Sequence, residues 1–224
     1  MLELVNYTVS LVGPEWFYKY NILLRFLFGI ITLFIAYICE KAYLFTKDKQ
    51  IKNFGLGFLF LSLSYFIISL SDLGIVTKIY EPLIYGINIA NMFYLAHVFF
   101  HMLGLIIILL VSLKIKSKKI AMLIFSLILL FIAFSYQYFI KFHMVAFILL
   151  MFITLQYYWN LQNKKRKKFN SSLVFTSFYL MCMAEVAYFS TLYLFPSVYL
   201  LGNLFHFFGF ILISYMLLRV LKNG

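Results

Sequence analysis

Seven apolar stretches, at about 20–42, 53–73, 88–113, 120–139, 142–161, 171–193 and 198–218, alternate with short polar connections along the 224 residues. Each is close to the about 20 residues that an α-helix needs to cross the hydrocarbon of a bilayer. The pattern therefore predicts an all-α, polytopic membrane protein with seven transmembrane helices. Together they use nearly the whole chain and leave no room for a soluble catalytic or regulatory domain.

The polar connections set the orientation. Fifteen of the nineteen Lys and Arg residues cluster in every second one. They are Lys41, Lys47, Lys49 and Lys52; Lys114, Lys116, Lys118 and Lys119; the run 164–168; and Arg219 with Lys222 at the tail. The intervening connections carry Lys78, Lys141 or no basic residue. Cytoplasmic loops keep the excess of Lys and Arg, so the expected topology is N-terminus out and C-terminus in, in the cell membrane. Residues 1–19 are expected to form an extracytoplasmic interfacial segment, with Trp16, Phe17, Tyr18 and Tyr20 at headgroup depth. That segment lacks the basic start and long apolar core of a secretory signal peptide.

Composition agrees. The chain is 65% hydrophobic with a mean hydropathy of +0.98, against about 45–50% apolar residues in a soluble domain. Its +12 net charge lies in juxtamembrane loops, where orientation and anionic headgroups account for it. Nucleic acid is therefore not an expected partner. Cys39 and Cys182 fall inside apolar stretches and read as buried free thiols.

Self-similarity refines the architecture. Residues 94–114 align without a gap over 199–219, with eight identities. The informative matches are His101 with His206, Gly104 with Gly209, and basic Lys114 with Arg219. Further back, Lys19-Tyr20-Asn21 resembles Lys141-Phe142-His143, and Ile31-Thr32-Leu33 meets Ile153-Thr154-Leu155 at the same offset. Stretches two and six meet only through Ser69 and Ser190 at nearly that offset. These echoes predict a parallel 3+1+3 repeat: repeat 1 at about 20–114, a linker helix at about 120–139, and repeat 2 at about 142–219.

At the level of topology this plan resembles the sugar-transporting and PQ-loop families and the microbial rhodopsins. The Pro-Gln dipeptide of the first is absent, and Pro14, Pro82 and Pro196 all lie outside helix interiors. The last stretch has no interior lysine, which excludes a retinal Schiff base. A shared topology does not assign a function.

An ionisable side chain at mid-membrane costs about 2.5–3.5 kcal/mol on insertion scales, so each one needs a reason. Glu185, His97, His101 and His206 are the candidates. Counted from the basic helix ends at about 1.5 Å per residue, all four fall in one layer roughly 20 Å or more from the inner edge. His97, His101 and Gly104 share one helix side, as do Gly202, His206 and Gly209. Asn203 and Asn91 could add polar lining. The plain alternative for the histidines is packing, with a carbonyl or hydroxyl on a neighbouring helix as partner. Arg25 and His143 read as near-surface residues that snorkel and carry no role.

The ligand-binding candidates are thus His97, His101, Glu185, Asn203 and His206, around a polar site between two three-helix repeats. Small-solute or ion transport is the first reading. A sensor, receptor-like or accessory subunit without catalysis is the alternative, with a membrane protein or a second copy of the chain as partner. A bis-His haem or metal protein comes third, using His101 with His206 or the His97–His101 spacing. That spacing in stretch three does not match the seven-helix zinc hydrolases resembling adiponectin receptors, whose HxxxH lies in the last helix. An intramembrane enzyme comes last, because no HExxH, GxSxG or paired-aspartate motif is present.

Overall fold

The computed structural model describes residues 15–76, 84–115, 138–163, 168–191 and 195–223, with scattered helical positions between 120 and 127. A 3-10 turn, Glu15–Phe17, leads into six long helices. They are α1 (Tyr18–Thr46), α2 (Lys49–Val76), α3 (Ile84–Ser112), α4 (Tyr138–Asn163), α5 (Lys168–Ser190) and α6 (Val198–Asn223). All six are long and apolar enough to cross a membrane. In lipid the backbone must bond to itself, which leaves helices as the answer for such stretches. Most of the expected fourth stretch, 120–139, lies outside the described residues, as do residues 1–14, Lys78 and much of the basic connections at 116–119 and 164–167.

The helices run past the apolar stretches. α1 and α3 are 29 residues each, roughly 43 Å at 1.5 Å per residue, against a hydrocarbon core about 30 Å thick. Their basic ends are where they stop. Lys47 ends α1 in the left-handed conformation at φ 55°, its N–H donating to the Tyr43 carbonyl at 2.8 Å. Asp48 then starts α2, its carboxylate accepting the Gln50 N–H at 2.8 Å. Lys41 lies over the Tyr37 ring and Lys52 over the Tyr43 ring, each at 4.9 Å, holding cations at the helix ends. Lys114, at φ 56°, marks the end of α3 in the same way.

Two triplets make up the bundle. α2 packs between α1 and α3, α5 packs between α4 and α6, and the triplets meet where α1 touches α6 and α3 touches α4. Enclosure follows: 61% of the apolar window of α2 is buried, against 33% for α1 and for α6. Glycines allow the closest approaches. A Cβ on Gly104 would lie 2.7 Å from the Gly57 carbonyl oxygen and beside Leu61. On Gly209 it would lie 3.0 Å from the Ser177 carbonyl oxygen and beside Met181.

Serines of α2 stitch the first triplet. Ser62 donates to the Gly29 carbonyl at 2.8 Å and Ser69 to the Ile22 carbonyl at 3.1 Å. Thr32 and Thr154 each donate to the carbonyl four residues back at 2.7 Å. Both cysteines are buried and free. One expectation changes: Phe17 is not at the headgroup surface with Trp16 and Tyr20 but turns inward against Tyr188 and Tyr199. Its ring has only apolar atoms and gains from leaving the interface, whereas Trp and Tyr carry a polar tip.

The α2–α3 contact is backbone on backbone, whereas a Cβ on Gly29 would meet the ring of Phe66. Gly104→Ala should therefore destabilise the protein by about 1–3 kcal/mol, and Gly29→Ala by less, because a ring can turn aside. Reversible unfolding in detergent micelles measures both. Equal costs would mean that helix separation at Gly104 is not tight.

Candidate functional site

Polar side chains collect in the half of the bundle where α1, α4 and α6 begin and α2 and α5 end, hereafter the Tyr18 end. Glu185 of α5 is 1% exposed and sits between two imidazoles. His143 Nδ1 of α4 lies 2.6 Å from Glu185 Oε2. His206 Nε2 of α6 lies 3.6 Å from Oε1, an ion-pair distance rather than a hydrogen bond.

The neighbours of His206 form a chain of hydrogen bonds. Asn203 Nδ2 donates to the Tyr199 carbonyl at 3.0 Å, which turns Asn203 Oδ1 towards Tyr188. The Tyr188 hydroxyl donates to that oxygen at 3.1 Å. Its single proton is then committed, so it accepts from His206 Nδ1 at 3.2 Å. With a proton on Nδ1, a neutral His206 would aim a lone pair at the Glu185 carboxylate. Its Nε2 faces one carboxylate oxygen at 3.6 Å while His143 holds the other at 2.6 Å. Gly202 makes room for this arrangement, since a Cβ there would lie 2.6 Å from the Tyr188 ring.

A second charged group lies nearer the Tyr18 end. Arg25 of α1 pairs with Asp72 of α2 and donates through Nη2 to the Tyr199 hydroxyl at 2.9 Å. Tyr199 in turn donates to Asn21 Oδ1 at 3.3 Å. The Arg25 side chain is 14% exposed and that of Asp72 is 0% exposed. Asp72 Oδ1 is buried without a hydrogen-bond partner among the described residues.

His97 and His101 of α3 form the third group. His97 Nδ1 donates to the Ser64 carbonyl at 3.1 Å and lies 2.7 Å from Ser64 Oγ. That leaves the Ser64 hydroxyl proton for the His97 carbonyl at 3.1 Å or for His101 Nδ1 at 3.3 Å. The His101 ring packs against Tyr65 and Phe142.

All five candidates from the sequence, His97, His101, Glu185, Asn203 and His206, line one cavity of about 50 Å³ together with Arg25 and His143. His101 and His206 face the same space but pack on different rings, His206 stacking on Phe210 at 5.6 Å. The side chain of Asn91 lies outside the described residues.

Arg25 and His143, expected to snorkel near the surface, instead turn inward, because each finds a buried carboxylate partner, Asp72 for Arg25 and Glu185 for His143. Asp72 is likewise a second buried acid, where the sequence singled out Glu185 alone. The signal for the first pair was in the chain: an Arg and an Asp interrupt neighbouring apolar stretches, and charges inside a membrane occur in pairs.

Beyond the cavity, towards the Thr46 end, the core turns apolar. Phe58, Phe178 and Phe210 are fully buried there, below Phe28 on the cavity wall. The hydroxyls of Thr32, Thr154 and Ser177 are spent on carbonyls of their own helices.

A cavity of about 50 Å³ has room for a few waters, each needing about 10–15 Å³ on the same measure. Sites for larger organic ligands run to roughly 300–1,000 Å³. A porphyrin does not fit between His101 and His206. Among the described residues no group of three or more His, Cys, Asp or Glu is placed to hold a metal ion, which includes the His97–His101 pair. No protein-family model, curated protein or solved structure matches the chain, so the functional reading rests on the site itself.

Removing one partner of the Arg25–Asp72 pair strands a buried charge. Asp72→Asn and Arg25→Gln should each cost about 3–5 kcal/mol of stability. The double variant should cost clearly less than the two summed. Strictly additive costs in detergent unfolding would show that the pair is not coupled.

Proposed function

We propose that this multi-pass membrane protein transports a small solute or ion together with a proton, through a site between two related three-helix units. The observation that carries this reading is the Glu185 carboxylate set between His143 and His206 on the wall of a cavity among apolar helices. A carboxylate flanked by two imidazoles can hold a proton shared among them, which offsets its charge in a low-dielectric core. The small cavity suits an ion or a compact solute rather than a large one.

The duplication is part of the proposal. α3 crosses α2 at Gly104 over Gly57 and Leu61, and α6 crosses α5 at Gly209 over Ser177 and Met181. The paired residues of α2 and α5 keep one register, in which Tyr65 takes the place of Glu185. Tyr65 packs on His101 at 5.6 Å between rings, as Glu185 faces His206. A linker helix at about 120–139 would restore the direction of the second triplet, giving seven crossings. The basic connections then put the N-terminus outside and the Thr46 end in the cytoplasm. In that orientation the cavity lies in the outer half, and its apolar floor is the barrier that transport would have to open.

Proteoliposomes carrying an internal pH dye test the reading. Under an imposed solute gradient, wild-type protein should move protons, and Glu185→Gln should fall to the rate of protein-free vesicles. Equal rates for wild type, Glu185→Gln and empty vesicles would remove transport and leave the histidines as packing residues.

A further inference from the structure

We infer that the solute is a compact monovalent anion, of the size of formate or nitrate, and that Arg25 is the residue that holds it. This deepens the transport reading and rests on it for the direction of travel, although binding can be tested without it.

The cavity wall carries two formally charged side chains from the acidic and basic residues, Arg25 and Glu185. Glu185 is held from both sides, with His143 Nδ1 2.6 Å from one oxygen and His206 Nε2 3.6 Å from the other. Asp72 is not on the wall, and its free oxygen is buried away from the cavity. A cation in the cavity would therefore have to compete with two imidazoles for one carboxylate.

Donors are in better supply. A guanidinium has five N–H groups, and Arg25 directs one nitrogen to Asp72 and the other terminal nitrogen to Tyr199. Tyr94, also on the wall, has a buried hydroxyl with no hydrogen-bond partner among the described residues. A buried hydroxyl is seldom left so, since the loss is about 1–3 kcal/mol. A planar or spherical anion between Arg25 and Tyr94 would satisfy both, and about 50 Å³ limits it to a few heavy atoms. Charge also balances. Arg25 is already offset by Asp72, so an anion that enters together with a proton adds no net charge to the site.

Isothermal titration of the purified protein in chloride-free detergent buffer tests this, with sodium formate and sodium nitrate as probes and sodium gluconate as the oversized control. Formate or nitrate should bind saturably and gluconate should not. Arg25→Gln should weaken binding by roughly tenfold or more, and Tyr94→Phe by several-fold, as expected for a charged and a neutral hydrogen bond. If Arg25→Gln does not fold, Tyr94→Phe decides alone. No anion binding, or binding unchanged in the variants that fold, overturns the inference. Proton flux that needs Glu185 but no small anion would sink it while leaving transport intact. Anion binding without flux in vesicles would do the reverse.

Discussion

Hydrocarbon gives a buried charge no solvation, so every ionised group inside the bundle must be answered by another group of the same protein. Two carboxylates, Glu185 and Asp72, set this requirement, and the polar half of the structure is arranged to meet it. Arg25 and Asp72 tie α1 to α2, and the same guanidinium reaches Tyr199 on α6. His143 and His206 bring α4 and α6 to the carboxylate of α5. The groups that would bind and move ions are thus also the groups that hold the helices in place. Assembly and chemistry share one set of side chains.

Close approach makes that set reachable. Ser64 comes within 2.7 Å of His97 because α2 and α3 touch through glycine backbones a short way along. Tyr188 can orient His206 because Gly202 leaves its ring room. A methyl group at either place would move a helix or a ring by more than a hydrogen bond tolerates.

The two triplets use a similar frame for different chemistry. Each crosses its second and third helices at a glycine, and each places an imidazole one turn beyond it, His101 or His206. The first triplet surrounds its histidine with Ser64, Tyr65 and Phe142, while the second gives its own a carboxylate and a phenol. Proton exchange on this reading belongs to one half. The other supplies Arg25, and the solute would sit where they meet.

Hydrophobic length and the placement of Lys and Arg were enough, without any structure, to identify six of these membrane-spanning helices, because in lipid a long apolar segment has a single backbone solution. That His97, His101, Glu185 and His206 come to one level of the bundle, where they line one cavity, was legible too, since rise per residue is nearly constant in a helix. Asn203 was legible as a neighbour of that face. Rotation about each helix axis was not legible, because these helices are apolar on every side and no amphipathic stripe marks the inward face. Only tertiary packing turned Arg25, Asp72 and His143 towards the centre, and it did so because a charge pairs across helices with residues far away in the chain. The hydrogen-bond chain from Tyr199 through Asn203 and Tyr188 to His206 was further from view still, because it exists once α5 and α6 lie side by side.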